Sequence, residues 1–198
     1  LPTDPANLKD ALKGLSALGF AGCNLTLPHK VMALPLVDRI NDTARRMGAI
    51  NTIVVEADGS LSGFNNDGFG YIQSLLVAKP DWQADAGPAL IMGAGGAARA
   101  VVVSLAEKGV KDIRICNRTE GHGQALVDVF KADFEQNLGT TLRNVPWDQR
   151  HQALSDVALL VNTTSQGMGN NPALDLNLAK LPVTALVSDV VYIPLETP

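Results

Sequence analysis

Apolar and polar residues in the first third of the chain are spaced as in short helices and short strands. Leucines recur every three or four positions from Leu8 to Leu18, which predicts a helix over residues 3–19, capped by Thr3 or Asp4 and ended by Gly19. The same patterns predict strands over residues 21–27, 49–56 and 61–64, and helices over residues 29–37, 42–47 and 67–77. Asp58 and Gly59, between the last two strands, predict a hairpin turn.

From residue 86 onward, apolar strands alternate strictly with helical or irregular connections. Predicted strands cover residues 89–92, 112–116, 141–144, 158–162 and 185–190, and predicted amphipathic helices cover residues 97–108 and 121–134. Strict alternation predicts a parallel sheet with crossover helices. We therefore expect an α/β chain with three parts: a mixed α/β domain at 1–66, a linking helix and boundary at 67–85, and a doubly wound domain at 86–198.

Composition narrows the class of protein further. The chain has 198 residues, 46% of them hydrophobic, and its 16 Lys and Arg against 20 Asp and Glu give a net charge of −4. This excludes a disordered chain and a basic nucleic-acid-binding protein, so any phosphate-containing partner should be small. Cys23 and Cys116 lack metal-ligand spacing and are expected to be buried in a reducing cytoplasm, with no metal bound. No signal peptide and no membrane-spanning run of about 18 apolar residues is expected.

A glycine-rich turn follows the first strand of the alternating part. Residues 93–97 read Gly93, Ala94, Gly95, Gly96 and Ala97, and they lie between a buried strand and an amphipathic helix. Glycines in this setting let backbone N–H groups approach a pyrophosphate, which then lies at the positive end of the helix. The sequence therefore predicts a dinucleotide site in a Rossmann-like domain.

The end of the next strand indicates which dinucleotide is bound. Where an acidic residue would accept a hydrogen bond from a ribose 2′-hydroxyl, the chain has Asn117, Arg118 and Thr119. Arg118 supplies a planar cation suited to a 2′-phosphate, and its neighbours supply neutral hydrogen-bonding groups. NADP is therefore expected over NAD.

Three polar clusters end neighbouring elements of the first domain. They lie within residues 22–30, 48–52 and 63–68. Polar clusters at the edge of one small domain, facing a predicted cofactor domain, predict a cleft for a small polyhydroxylated or carboxylated substrate.

These segments resemble the shikimate dehydrogenase family, and the resemblance covers essentially the whole chain. The motifs that carry it are N-L-T-L-P-H-K at 24–30, G-A-I-N-T at 48–52, N-N-D-G at 65–68, G-A-G-G-A-A-R at 93–99 and N-R-T at 117–119. The segment 161–168 and the D-V-V-Y-I-P-L-E-T-P segment at 189–198 also resemble the family. The resemblance implies reversible reduction of 3-dehydroshikimate to shikimate by NADPH, in aromatic amino acid biosynthesis, by a monomer or homodimer.

The resemblance also implies roles for individual residues. Lys30 would deliver the proton and stabilise the developing alkoxide, and Asp67 would bond the same hydroxyl and hold Lys30. Thr26 and Asn51 would orient the ring hydroxyls, and Tyr192 would close the substrate site. Besides the residues of the glycine-rich turn and of 117–119, the implied cofactor contacts are His122, Thr163 and Val190.

The chain departs from the family pattern in several places. Asn66 replaces a usual Thr, and His122 replaces an Arg that grips the 2′-phosphate. His122 predicts weaker discrimination between NADP and NAD, more so above about pH 6.5, where histidine is neutral. The other two histidines, His29 and His151, are expected to be structural or solvated. The family's N-terminal Ser-x-Ser segment and C-terminal helices are not in these residues, so we expect a fragment.

Other functions remain open from the sequence. Quinate or an amino-substituted analogue could be the substrate, with relaxed use of NAD and NADP. A non-catalytic NADP-binding sensor is a different class of function, and it would have no need for Lys30, Asn51 and Asp67 together.

Overall fold

The computed structural model describes residues 2–26 and 28–197, and the chain divides into two compact units, Leu1–Gly70 and Tyr71–Pro198. Leu1, Leu27 and Pro198 lie outside the described residues, and Leu27 is the last residue of the strand predicted at 21–27. The boundary between the units falls inside a helix, Asp67–Ala78. The assignment of substrate and cofactor roles to two domains stays a prediction.

The described residues of the first unit form a four-stranded mixed sheet, three complete α-helices and the first turn of a fourth. In chain order its elements are α1 Leu8–Ala17, β1 Gly22–Asn24, α2 His29–Met32, β2 Arg39–Ile40, α3 Asp42–Met47, β3 Thr52–Val55 and β4 Leu61–Phe64. The strand order is β1-β3-β4-β2, and only the β2–β4 pair is parallel. Its core consists of buried apolar residues from these helices and strands and the connections between them: Leu8, Leu12, Ala33, Ala44, Ile50, Ile53 and Leu61.

The first predicted helix is shorter than expected. Asp4 caps a 3-10 turn, Pro5–Asn7, by accepting a hydrogen bond from the Ala6 N–H, and only then does α1 begin. Because α1 ends at Ala17, Leu18 is 74% exposed and does not extend the buried stripe, contrary to the expectation.

Other boundaries of the first unit also differ from the sequence pattern. The helix predicted at 29–37 is α2 followed by a separate 3-10 turn, Leu34–Leu36, which contains a proline in its first two positions. Strand β2 was not predicted, because two residues carry no period. The hairpin of β3 and β4 forms around Asp58 and Gly59, as expected.

The second unit is built on a five-stranded parallel sheet. After α4, Asp67–Ala78, its elements are β5 Ala89–Met92, α5 Gly96–Glu107, β6 Asp112–Cys116, α6 His122–Asp133, β7 Thr141–Val145, β8 Leu159–Asn162 and β9 Leu186–Asp189. The strand order β7-β6-β5-β8-β9 is that of a doubly wound, Rossmann-like domain, which confirms the predicted fold class. The helix predicted to reach residue 134 stops at Asp133 and continues as a π-helical turn, Phe134–Leu138.

The register of this sheet places four strand ends side by side. Met92 at the end of β5 pairs with Cys116 of β6 and Asn162 of β8, and Asn162 pairs with Asp189 of β9. The residues that follow these strands therefore emerge at one edge of the sheet, the carboxyl edge at which doubly wound domains bind their ligands. Among the described helices, none is long and apolar enough to cross a membrane.

Candidate active site and cofactor site

Lys30, Asn51 and Asp67 meet in the first unit. Lys30 Nζ lies 2.7 Å from Asp67 Oδ2, and Asn51 Nδ2 donates to Asp67 Oδ1 over 2.8 Å. The two partners of the ion pair are partly shielded, with 24% of the Lys30 side chain and 43% of the Asp67 side chain exposed. Both carboxylate oxygens of Asp67 are therefore engaged, one by an ammonium group and one by an amide.

Short backbone links explain why residues distant in sequence meet here. The Asn51 N–H donates to the Phe64 carbonyl at the end of β4, so the start of β3 and the start of α4 are neighbours. Asn65 is buried: its Nδ2 donates to the Ala49 carbonyl, while its Oδ1 accepts from the Asp67 N–H. Asn65 thus satisfies a backbone donor at the start of α4 and fixes the position of Asp67.

The remaining predicted substrate residues are placed differently. Thr26 is exposed on the turn into α2, where its carbonyl accepts from the His29 N–H, and no hydrogen bond joins its side chain to Asp67 in the described residues. Tyr192 belongs to the second unit, in the segment after β9, and is 76% exposed. Of the four predicted substrate residues in the first unit, three are therefore joined by side-chain hydrogen bonds.

The glycine-rich turn of the second unit has the shape that close approach by a ligand requires. Gly93 has φ 109°, and a Cβ there would lie 2.7 Å from Thr163 Oγ1. Gly95 precedes α5 without any side-chain hydrogen bond, and a Cβ on Gly95 or Gly96 would meet nothing within 4 Å. The first N–H groups of α5 are therefore accessible to an anion, and the turn fits a dinucleotide pyrophosphate.

The segment after β6 presents a cation and several polar groups. Asn117 Nδ2 donates to the Thr119 carbonyl over 3.0 Å, which curls the segment around the exposed Arg118. Arg118 forms no ion pair with an acidic residue in the described part of the chain. His122 is exposed at the first position of α6. These side chains are suited to bind a phosphate group at the carboxyl edge of the sheet.

Thr163 and Val190 follow β8 and β9 at this edge. The Thr163 hydroxyl is buried and donates to the Met92 carbonyl over 2.7 Å, so it holds the end of β5 next to Gly93. The Val190 N–H donates to the Asn162 carbonyl over 3.0 Å.

Sequence reasoning missed two hydrogen-bonded groups near these sites. In the first unit, Asn66 and Thr52 bond each other beside Asn51. In the second, Asn162 Nδ2 donates to Asp189 Oδ1 and Oδ2 over 3.1 and 3.2 Å. The available signal was that Asn162 ends one predicted strand and Asp189 lies one residue before the end of another.

His29, His151 and the two cysteines have no predicted role in substrate or cofactor binding. His151 Nδ1 accepts from the Asn177 N–H over 3.1 Å, whereas the Nδ1 atom of His29 is buried without a hydrogen-bond partner in the described residues. Burial raises the pKa of Cys116 to about 11, so it is a protonated thiol at neutral pH. Cys23 is half-buried, and burial raises its pKa as well.

Comparison with protein families and with known proteins matches the chain to one family. A family described as the shikimate dehydrogenase substrate binding domain matches residues 1–53, and one described as shikimate / quinate 5-dehydrogenase matches residues 78–165. The NADP(+) shikimate dehydrogenase of Rhodospirillum rubrum is 48% identical over 198 residues, which are 100% of this chain and 69% of that protein.

Solved structures give the same fold. Shikimate 5-dehydrogenase from Thermus thermophilus, in complex with NADP(H) and shikimate, is 36% identical with a TM-score of 0.76 and covers 98% of this chain and 67% of its own. A 5-ketofructose reductase from Gluconobacter, in its ligand-free form, is 32% identical with a TM-score of 0.88 and covers 100% of this chain and 69% of its own. The similarity therefore includes proteins named for different substrates.

Proposed function

Because the chain belongs to the shikimate dehydrogenase family, we propose that it reduces 3-dehydroshikimate reversibly to shikimate, using Lys30 as the proton donor. It is an NADP-dependent oxidoreductase with a small-molecule substrate, of the aromatic amino acid pathway. The observation that carries the residue assignment is the ion pair of Lys30 with Asp67, which Asn51 supports from the other carboxylate oxygen.

The proton transfer follows from this arrangement. When bound, NADPH supplies the hydride that converts the ring ketone to an alkoxide. Lys30 Nζ donates a proton to that oxygen, and the charge of Lys30 stabilises the oxygen while the negative charge develops. Asp67 keeps the ammonium group in one place, and Asn51 keeps Asp67 from rotating. In the reverse direction the neutral amine of Lys30 accepts the hydroxyl proton.

The second unit supplies the cofactor contacts in this proposal. The N–H groups at the start of α5, next to Gly95 and Gly96, receive the pyrophosphate, with Ala94 and Ala97 beside them. Arg118 pairs with the 2′-phosphate, and Asn117, Thr119 and His122 add polar contacts. Thr163 and Val190 lie at the same edge of the sheet. In the first unit, Thr26 orients a ring hydroxyl of the substrate.

The test measures NADPH oxidation by the complete protein with three ketones: 3-dehydroshikimate, 3-dehydroquinate and 5-ketofructose. Each is repeated with NADH and with the Lys30→Ala variant. Loss of a general acid predicts a fall in kcat of about 10²–10⁴-fold for Lys30→Ala, with NADPH affinity unchanged. Lys13→Ala, an exposed lysine of α1, is the matched control and should keep full turnover.

Each outcome decides one part of the proposal. The highest kcat/KM with 3-dehydroshikimate and NADPH supports the substrate and cofactor assignment, and dependence on Lys30 supports the mechanism. Preference for another ketone overturns the substrate. Unchanged turnover in Lys30→Ala overturns the role of Lys30.

A further inference from the structure

Asn66 connects the start of α4 to the start of β3 by two hydrogen bonds. Its backbone N–H donates to Asn51 Oδ1 over 2.9 Å, and its side-chain Nδ2 donates to Thr52 Oγ1 over 3.0 Å. It is also the immediate neighbour of Asp67 in the chain. One hydrogen bond of Asn66 therefore goes directly to Asn51, which bonds Asp67. The other reaches Asn51 through the Thr52 hydroxyl.

The direction of these hydrogen bonds is fixed by the chemistry of the groups. An amide nitrogen can only donate, so the Thr52 hydroxyl accepts from Asn66 and must give its own proton to another acceptor. The nearest acceptor is Asn51 Oδ1 at 2.9 Å, and Asn24 Oδ1 is farther at 3.3 Å. The hydroxyl proton is therefore directed to Asn51 Oδ1.

This arrangement determines which way the Asn51 amide faces. Asn51 Oδ1 accepts from the Asn66 N–H and from the Thr52 hydroxyl, so a flipped amide would turn its NH₂ group against the Asn66 N–H and would lose the bond from the Thr52 hydroxyl. In the observed orientation, Asn51 Nδ2 is left to donate to Asp67 Oδ1 over 2.8 Å. The side chain of Asn66 thus favours the one amide orientation that supports Asp67.

We propose that Asn66 is a positioning residue for the Lys30–Asp67 pair, acting through Thr52 and Asn51. The inference rests on the proposed function, since it takes Lys30 as the proton donor. It also gives a role to the position at which this chain has Asn in place of the Thr of the family pattern. A threonine hydroxyl can donate or accept, so it would not impose a direction on the Thr52 hydroxyl as the donor-only NH₂ group does.

The test compares Asn66→Ala, Thr52→Val and the double variant in the complete protein with 3-dehydroshikimate and NADPH. Each single change should lower kcat about 2- to 10-fold, the effect of losing one ordinary hydrogen bond, and should leave the KM for NADPH unchanged. The double variant should lose little more than either single variant, because both changes break the same connection. Asn7→Ala, an exposed asparagine whose side chain does not cap α1, is the control and should keep full kcat.

The results separate this inference from the proposed function. If Lys30→Ala abolishes turnover while Asn66→Ala and Thr52→Val keep full kcat, the positioning role is wrong and the catalytic assignment stands. Additive effects of the two changes, or equal changes in the KM values for both substrates, also overturn the positioning role. Full turnover in Lys30→Ala overturns both.

Discussion

The side-chain amide of Asn162, at the end of β8, donates to both carboxylate oxygens of Asp189, at the end of β9. The same carboxylate accepts from the Val191 N–H over 2.9 Å and from the Thr197 hydroxyl over 3.1 Å. Asp189 therefore ties together the two ends of the segment that carries Tyr192. Asn162 also holds the segment after β8, because its Oδ1 accepts from the N–H and the hydroxyl of Thr164.

Removal of this carboxylate should loosen the Tyr192 segment. In Asp189→Ala, the Asn162 amide, which is 5% exposed, loses an acceptor, and we expect a loss of about 1–2 kcal/mol in the free energy of unfolding. Urea unfolding measures this loss. Asp148→Ala, an exposed acidic residue, is the control, and equal behaviour of the two variants would contradict the expectation.

Two glycines of the same turn should respond differently to an added methyl group. Gly93→Ala places a Cβ 2.7 Å from Thr163 Oγ1 at φ 109°, so we expect a loss of about 1–3 kcal/mol in the free energy of unfolding. Gly95→Ala meets no protein atom within 4 Å and has φ −87°, so its stability should be unchanged. Because that open space is where the pyrophosphate is expected, Gly95→Ala should instead weaken NADP binding. Urea unfolding and calorimetric titration with NADP distinguish the two outcomes.

Arg118 should decide the choice between NADP and NAD. Loss of a charge-assisted contact predicts a 10- to 100-fold weaker affinity for NADP in Arg118→Ala and little change for NAD. Lys131→Ala, an exposed basic residue in the last turn of α6, is the control for the loss of one positive charge. Dissociation constants for both dinucleotides provide the comparison. A parallel weakening of both would show that Arg118 does not read the 2′-phosphate.

His122 should limit how strongly NADP is preferred. A guanidinium group at this position adds a permanent charge and a planar donor set, so His122→Arg should raise the ratio of NAD to NADP dissociation constants. His122→Ala should lower that ratio, because a polar contact to the 2′-phosphate is lost. A ratio that is the same in wild type and His122→Ala would contradict the role.

The sequence predicted those parts of the fold whose apolar period is long or is bounded by turn residues. The predicted bounds of α3, β4, β5 and β6 agree with the structure, whereas β2 and the π-helical turn at 134–138 were missed. A two-residue strand has no period, and a π-helical turn changes the hydrogen-bond spacing without changing the apolar pattern.

The candidate site was predictable as a set of residues but not as a network. The polar clusters located three segments of the chain, and the family resemblance pointed to Lys30, Asn51 and Asp67 within them. It could not show that the Thr163 hydroxyl turns towards the Met92 carbonyl, or that Asn66 bonds Thr52, because these facts depend on side-chain rotamers and strand register. Sequence spacing fixes which residues share an edge of a sheet, and only the structure gives the direction of each hydrogen bond.

An ion network in the second unit should make the free energy of unfolding fall as the solution becomes acidic. Arg114 is 11% exposed and bonds both carboxylate oxygens of Asp156, at 2.5 and 2.6 Å, as well as Asp112. The hydrogen bond from Arg114 is the main cause that lowers the pKa of Asp156. A lowered pKa means that the stabilisation is fully present above the unfolded value of about 3.9 and is lost as the pH falls through the folded pKa.

Replacement of Arg114 should therefore cost stability at neutral pH and less in acid. Arg114→Met removes the charge-assisted bonds and leaves Asp112, which is 19% exposed, with Arg143 as its remaining partner, so we expect a loss of about 1–3 kcal/mol at pH 7. As the pH falls below about 4, the unfolded chain takes up a proton at Asp156 more readily than the folded ion pair does, so the stabilisation declines and the difference between the two proteins should shrink. Urea unfolding from pH 3 to pH 8 measures both curves. A difference that stays constant over this range would show that Arg114 stabilises the fold by packing and not by its ion pairs.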